Sequence, residues 1–409
     1  MVNLEPFGVE EWMDAHENSA KYNIAETCCA SISIEELQSL AEDPAEKSVN
    51  VLTTSEKLTY GAIRGSEALR KNLSNLYSSK TASRLPEDNI LITPGAIMAN
   101  TLVFYALVGP GDHVIVHHPT YQQLYEVPRS LGAEVDLWEA KAEKDWIPDL
   151  EELKALVKPN TKLIVINNPN NPTGAILPKD LLQNLVDFAA TKSITILSDE
   201  VYRPIFHSVS PIDPSFPPSL LSLGYAHVIV TGSLSKAYSL AGIRVGWIAS
   251  RDAAAVATIA AARHYTTISV SSLDQQVAAR ALAPSTIHAL LARNIALARA
   301  NLEILDRFVV KHDDVVEWVK PKAGTTAFLR FHLEGKPVDA ARFCKVLLEE
   351  TGVLFVPGPE SFGKRFPGYV RVGFCCETEV LKEGLEKARL WMKKNFDDVP
   401  LAEVELKEA

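Results

Sequence analysis

The sequence predicts an α/β protein: a mostly parallel sheet flanked by helices, joined to a smaller α+β domain formed by both termini. Three observations lead there. Four short runs, HVIVHH (113–118), KLIVINN (162–168), ITILSD (194–199) and HVIVTG (227–232), are β-branched and nearly unbroken in apolarity, which suits strands covered on both faces of a parallel sheet. Between them lie segments such as KDLLQNLVDFAATKS (179–193), whose apolar residues recur at helical spacing. From about residue 276 the alternation stops and a long helical stretch begins.

Taken in order, residues 1–45 contain no buried-strand run and are expected to pack on the smaller domain. Residues 46–275 form the large domain and 276–409 the small one. The helical stretch after 276 is expected to break near Pro284, where proline removes a backbone donor. GTTAFLRFHL (324–333) follows, then a helix over DAARFCKVLLEETG (339–352), the run VLFVPG (353–358), YVRVGF (369–374) and a last helix over LKEGLEKARLWMKKNF (381–396). No repeat and no Gly/Ser linker separates the two parts, so they are expected to pack together. The acidic tail DDVPLAEVELKEA (397–409) is expected to fray.

A chain of 409 residues, 47% apolar and 22% charged, can bury a large core. Its net charge of −10, with no stripe of Lys and Arg, argues against a nucleic-acid partner and for small molecules. The acidic start MVNLEPFGVEEWMDAHENSA resembles neither a signal nor a transit peptide, and no apolar run approaches the ~20 residues of a membrane span, so a cytoplasmic protein is expected. Five cysteines, Cys28, Cys29, Cys344, Cys375 and Cys376, lack CxxC spacing and read as buried thiols rather than a disulfide framework or a metal site.

In an open α/β sheet, ligands collect where loops leave the carboxyl ends of the strands. Those loops here are NPNNPTG (168–174), DEVYR (199–203) and GSLSK (232–236). They offer an amide (Asn171), an acid (Asp199), a phenol (Tyr202), hydroxyls (Ser233, Ser235) and an amine (Lys236), with the guanidinium of Arg244 eight residues further on. The set suits pyridoxal 5′-phosphate: an aldehyde takes a lysine, a pyridine nitrogen a carboxylate, a phenolic oxygen donors, and a phosphate arginine and hydroxyls.

Seven motifs in order then carry a resemblance: YGAIRGSEALR (60–70), TPGAIMAN (93–100), HPTYQQLYE (118–126), NNPNNPTG (167–174), SDEVYRPI (198–205), SLSKAYSLAGIRVGW (233–247) and YVRVGF (369–374). The chain resembles fold-type I pyridoxal-phosphate enzymes of the class I/II aminotransferase group over about residues 50–395. The resemblance implies that Lys236 forms the aldimine with the cofactor and shuttles the proton, its pKa lowered by burial beside cationic groups. It implies that Asp199 holds the pyridinium nitrogen and that Asn171 and Tyr202 donate to the phenolate oxygen. The phosphate would sit on the backbone amides of Gly95, Ala96 and Ile97 at a helix start, with Arg244, Ser233 and Ser235. Tyr121 would stack on the ring, Tyr60 would reach the phosphate of the neighbouring subunit in a homodimer with shared sites, and Arg371 would grip the substrate carboxylate.

The implied reaction is transfer of an amino group between an amino acid and a 2-oxo acid. The same cofactor residues also serve elimination, replacement and ring closure. KYNIAETCCASISIEEL (21–37) is similar to the Ala-Glu segment of aminocyclopropane-carboxylate synthases, in place of the usual Gly-rich apolar segment. Glu26 would then face a cationic or amino-bearing substrate, as in capreomycidine-synthase-like cyclases; a helix-capping or solvated glutamate is the alternative. Arg330, in GTTAFLRF, lies either at the mouth of the site or in a surface pair. An inactive binding or regulatory relative would be expected to have lost Lys236 or Asp199, and no G-x-G-x-x-G follows a strand to support a nicotinamide dehydrogenase.

Overall fold

The computed structural model describes residues 4–79, 81 and 83–403. Its first strand, β1 (Tyr22–Asn23), is only two residues long. The main sheet follows: β2 (Ile90–Thr93), β3 (His113–His118), β4 (Glu134–Glu139), β5 (Thr161–Asn167), β6 (Thr195–Asp199), β7 (Val228–Ser233) and β8 (Gly246–Ser250). The strand order is β2-β8-β7-β6-β5-β3-β4. Strand β8 runs antiparallel to both its neighbours, β2 and β7, and the other pairings are parallel. Strands β3 and β7 are buried along their whole length, as their apolar runs require.

Helices on both faces complete the unit. The helix Lys179–Lys192 buries Leu182, Leu185, Val186 and Ala189 and ends at Ser193 in a left-handed conformation. The helices Gly95–Leu107 and Ala253–Arg263 pack with one another and with the sheet.

The second sheet is made of β9 (Val316–Trp318), β10 (Thr326–Leu333), β11 (Lys336–Pro337), β13 (Val356–Pro357) and β14 (Tyr369–Gly373), while the intervening β12 (Val353–Leu354) pairs with β1. The chain breaks its helical stretch as proline dictates: one helix ends at Ala281 and the next, 28 residues long, starts with Pro284 at its first turn. The helix Ala340–Thr351 is capped by Asp339, whose carboxylate accepts from the Arg342 amide at 2.9 Å.

The N-terminal segment adds a two-residue strand, with Tyr22 and Asn23 aligned to Val353 and Leu354. One expectation needs correction. The tail is ordered as far as Ala402, because the Asp339 and Ala402 amides donate to the Pro400 and Pro337 carbonyls and Val338 bridges to Leu401. Its last residues, 404–409, lie outside the described ones.

Candidate active site

The carboxyl ends of β5, β6 and β7 open onto a cavity of about 310 Å³, lined among others by Asn171, Asp199, Tyr202, Ser233, Ser235, Lys236, Arg244 and Arg371. The register explains the convergence: Asn167 at the end of β5 pairs with Asp199 at the end of β6, which pairs with Thr231 on β7. Asn167 also fixes the next loop, its Oδ1 accepting from the Asn171 amide at 2.7 Å and its Nδ2 donating to the Asp199 carbonyl at 3.0 Å.

Asp199 is buried, and its oxygens accept from Asn100 Nδ2 at 2.9 Å and from the Val201 amide at 3.1 Å. Burial disfavours its charge and lifts the carboxyl to about 6, against the pull of those donors and the Lys236 charge. Asn100 is itself held, accepting from Thr231 Oγ1 at 2.7 Å.

Lys236 Nζ donates to Thr27 Oγ1 at 2.7 Å and lies 3.5 Å from Glu26 Oε1 and 3.7 Å from Cys28 Sγ. The expectation of cationic neighbours fails. Burial does oppose its charge, but the groups around it are acidic, and the net effect raises the ammonium pKa. Burial keeps the Cys28 thiol protonated, up to about 12, and raises the Tyr202 and Tyr121 phenols, so at neutral pH the operative anion is Glu26. Burial works against the Glu26 charge too, yet Lys236 and the Thr27 and Cys28 donors hold it down to about 2. Glu26 therefore accepts from the Thr27 amide at 2.6 Å while lining the cavity.

At the start of the helix Gly95–Leu107, Ala96 and Ile97 line the cavity, and that helix has no side-chain cap for its first N–H groups. Gly95 sits behind them, so close that a Cβ there would lie 2.8 Å from Arg244 Nη2. Gly246 permits the approach, since a Cβ on it would lie 2.4 Å from the Gly95 carbonyl carbon and 2.6 Å from the Ala96 nitrogen. Arg244 Nη1 donates to the Ala241 carbonyl at 3.0 Å and to Ser235 Oγ at 3.4 Å.

Arg371 is 3% exposed. Its Nη2 donates to the Ala25 carbonyl at 3.0 Å, its Nη1 to Asn171 Oδ1 at 3.5 Å, and its Nε has no partner. Gly373, two residues on, lets the N-terminal segment cross the strand end: a Cβ there would meet the Glu26 carbonyl oxygen at 1.8 Å.

Tyr121 lines the cavity and donates to Glu10 Oε1 at 2.6 Å. Tyr60 does not reach it; this residue is 85% exposed, beside Ser269–Ser272. Arg330 pairs with Glu317 and the Gly335 carbonyl, away from the cavity, which decides between its two readings. All five cysteines are free; Cys28 alone among them lines the cavity.

The sequence reading missed Thr27, Asn100, Gln123 and the residues Val9, Glu10, Met13 and Glu17. Asn100 was visible four residues after Ala96, on the same helical face. The N-terminal residues were not, because the helix Gly8–His16 reaches the cavity only through tertiary bonds such as Gly8 N to Gln122 Oε1 at 3.0 Å.

Residues 33–387 match the family model for aminotransferase class I and II. The chain belongs to the class I and II aminotransferase family. This aminotransferase-family chain is 43% identical to a PLP-dependent aminotransferase from Streptococcus suis of known structure, with a TM-score of 0.86 over 96% of this chain and 98% of that one. It is 31% identical to capreomycidine synthase of Streptomyces vinaceus, over 92% of this chain and 91% of the relative. It is 30% identical to an aspartate aminotransferase of Thermotoga maritima, over 85% of this chain and 86% of the relative.

Proposed function

We propose that this protein transfers an amino group between an amino acid and a 2-oxo acid, with pyridoxal phosphate as cofactor. The observation that carries the reading is the convergence of Lys236, buried Asp199 and the Arg244-flanked helix start on one cavity. The donor set fits the cofactor: an amine for its aldehyde, a carboxyl for its ring nitrogen, and a guanidinium, hydroxyls and backbone amides for its phosphate. When bound, pyridoxal phosphate supplies an electron sink for the bond broken at the substrate Cα.

The chain's own residues do the rest. Lys236 holds the cofactor and moves the proton at the substrate Cα. Asp199, ionised against a ring N–H, keeps that nitrogen charged. Asn171 and Tyr202, which line the cavity, would donate to the ring oxygen, and Tyr121 would cover a ring face. Arg371, with Nε unengaged, receives the substrate α-carboxylate. We further place the protein in the cytoplasm and assemble it as a homodimer, in which exposed Tyr60 serves the partner's site.

A second reading, elimination or ring closure, is favoured by one observation: the Glu26 carboxylate stands 3.5 Å from the amine that moves the proton. There it would select a substrate carrying a second amino or guanidino group. One experiment separates the readings. The wild type, Lys236→Ala and Glu26→Gln are incubated with pyridoxal phosphate and a panel of amino acids with and without 2-oxo acids, and products are followed by mass spectrometry. Paired 2-oxo acid and new amino acid, absent with Lys236→Ala, are expected. Ammonia or a cyclic product without a new amino acid overturns transamination, and an unchanged substrate profile for Glu26→Gln removes its selecting role.

A further inference from the structure

A second cavity, of about 420 Å³, shares no lining residue with the first among the described ones, yet the same chain segments build both. Glu200 follows Asp199, Arg203 follows Tyr202, Tyr238 stands two residues after Lys236, and Trp247 follows Gly246. The wall is mostly apolar and aromatic: Tyr77, Phe216, Tyr238 and Trp247 line it, with Leu291 and Ile295 of the 28-residue helix. A volume of that order suits a small organic molecule.

Two charged side chains reach this wall, and each is only partly satisfied. Glu200 is 4% exposed. Its Oε1 accepts from Ser219 Oγ at 3.0 Å, from the Leu220 amide at 3.1 Å and from Ser198 Oγ at 3.4 Å, whereas its Oε2 has no hydrogen-bond partner. Arg203 Nη2 donates to the Pro217 carbonyl at 2.8 Å, and its Nη1 has no partner. The two side chains form an ion pair, with Glu200 Oε2 and Arg203 Nε 3.8 Å apart, too long for a hydrogen bond. They cancel one another's charge while leaving an acceptor and a donor unmet. Unmet polar groups in an apolar wall cost free energy that a ligand with the complementary pair recovers. Net charge on that ligand is disfavoured, because an ion beside a pair already matched has no counter-ion of its own.

We infer that this cavity binds a small neutral aromatic carboxamide, and that its occupancy shifts cofactor affinity in the first cavity. The carboxamide N–H would donate to Glu200 Oε2, its carbonyl would accept from Arg203 Nη1, and its ring would lie among the four aromatic side chains. Trp247 links the two cavities. Its Nε1 donates to Tyr77 Oη at 2.9 Å, and its ring backs onto β7 so closely that a Cβ on Gly232 would lie 2.5 Å from it. Its neighbour Gly246 abuts the helix start at Gly95. Only the coupling rests on the pyridoxal-phosphate reading above; the site itself stands apart from it.

Isothermal titration calorimetry tests the site, with indole-3-carboxamide and indole-3-carboxylate titrated in the presence of pyridoxal phosphate into the wild type, Glu200→Gln/Arg203→Met and Ala292→Phe. Ala292 is an exposed residue at the cavity's edge, so its replacement adds bulk there without disturbing a buried pair. The expected result is one-to-one binding of the carboxamide, at least about tenfold tighter than the carboxylate and weakened at least about tenfold in both variants. No binding to the wild type, or equal binding of the two probes, overturns the site. Wild-type affinity in Ala292→Phe also overturns it, and that variant decides alone if the double variant does not fold. Titration of the wild-type apoprotein with pyridoxal phosphate, with and without saturating carboxamide, tests the coupling. A change in Kd of at least about fivefold is expected, and an unchanged Kd overturns the coupling. A wild type that takes up no pyridoxal phosphate overturns the proposed function and the coupling together, while the calorimetric result for the site stands.

Discussion

Burial lifts Asp199 to about 6 from an ordinary 3.8, and the direction of that shift fixes how stability depends on pH. Between about 4 and 6 the folded chain holds a proton that the unfolded chain has released. Stability from this group is therefore full at lower pH and is lost as pH rises through the folded pKa. Above that window the ionised carboxylate is a burden that only a cationic partner relieves. Asp199→Asn, stripped of cofactor, should accordingly melt above the stripped wild type at pH 7.5, by up to about 3 kcal/mol, with the gap closing below pH 4. The same variant should lose at least about a hundredfold in activity. A lower melting point at pH 7.5 would mean that the Asn100 and Val201 hydrogen bonds outweigh desolvation. The strand-end residues of this site were legible in the sequence because loop chemistry after an apolar run is local. The charge state of Lys236 was not: the acid that governs it, Glu26, is 210 residues away in the chain and is brought to it where the N-terminal segment crosses the end of β14 at Gly373.

At the scale of elements, the longer β-branched apolar runs of the main sheet were legible, while shorter or mixed strands were overlooked even where they are wholly buried. Strands β3, β5, β6 and β7 could be read directly. Strand β4 escaped because it is an edge strand that alternates Glu, Asp and Glu with apolar residues, and β8 because GWIAS carries little β-branched character. That overlooked strand lies against the helix start proposed to hold the phosphate. Gly246 begins β8 and lies against the start of the helix Gly95–Leu107, where added bulk meets backbone that has nowhere to relax. Gly246→Ala should displace the helix start from Arg244 and weaken pyridoxal phosphate affinity at least tenfold, measured by fluorescence titration. The secondary structure should be little changed, because the clash is confined to one turn. Unchanged affinity would mean the cradle yields without losing its donors.

Across the whole molecule, the N-terminal segment ties the two sheets together at the cavity. The Gly373 amide donates to the Ile24 carbonyl and the Ala30 amide to Cys375, on the small sheet's side, while the Cys29 and Ile32 amides donate to Lys236 and Ser239 on the other. Little in the sequence warned of this, since residues 22–32 carry no periodic pattern and the bonds that tie them to the two sheets run to distant parts of the chain. A ligand that engages Lys236, Asp199 and the helix start thus binds a structure already cross-linked through Thr27 and Ala25 to Arg371. Any ligand bound to the folded state alone stabilises it by RT ln(1 + [L]/Kd), about 2.7 kcal/mol at a hundredfold excess. The distribution of that gain depends on the strap. If the strap couples the sheets, adding pyridoxal phosphate should slow amide hydrogen exchange in residues 22–32 and in β14 as well as in β6 and β7. Protection confined to residues 195–236 would mean that the two units open independently and that the strap rides on the small one alone. Tyr121→Phe removes the bond to Glu10 at the cavity's other edge without touching the strap, so it should leave that pattern intact. Exchange in residues 22–32 is therefore the measurement that separates coupling through the strap from general tightening around the ligand.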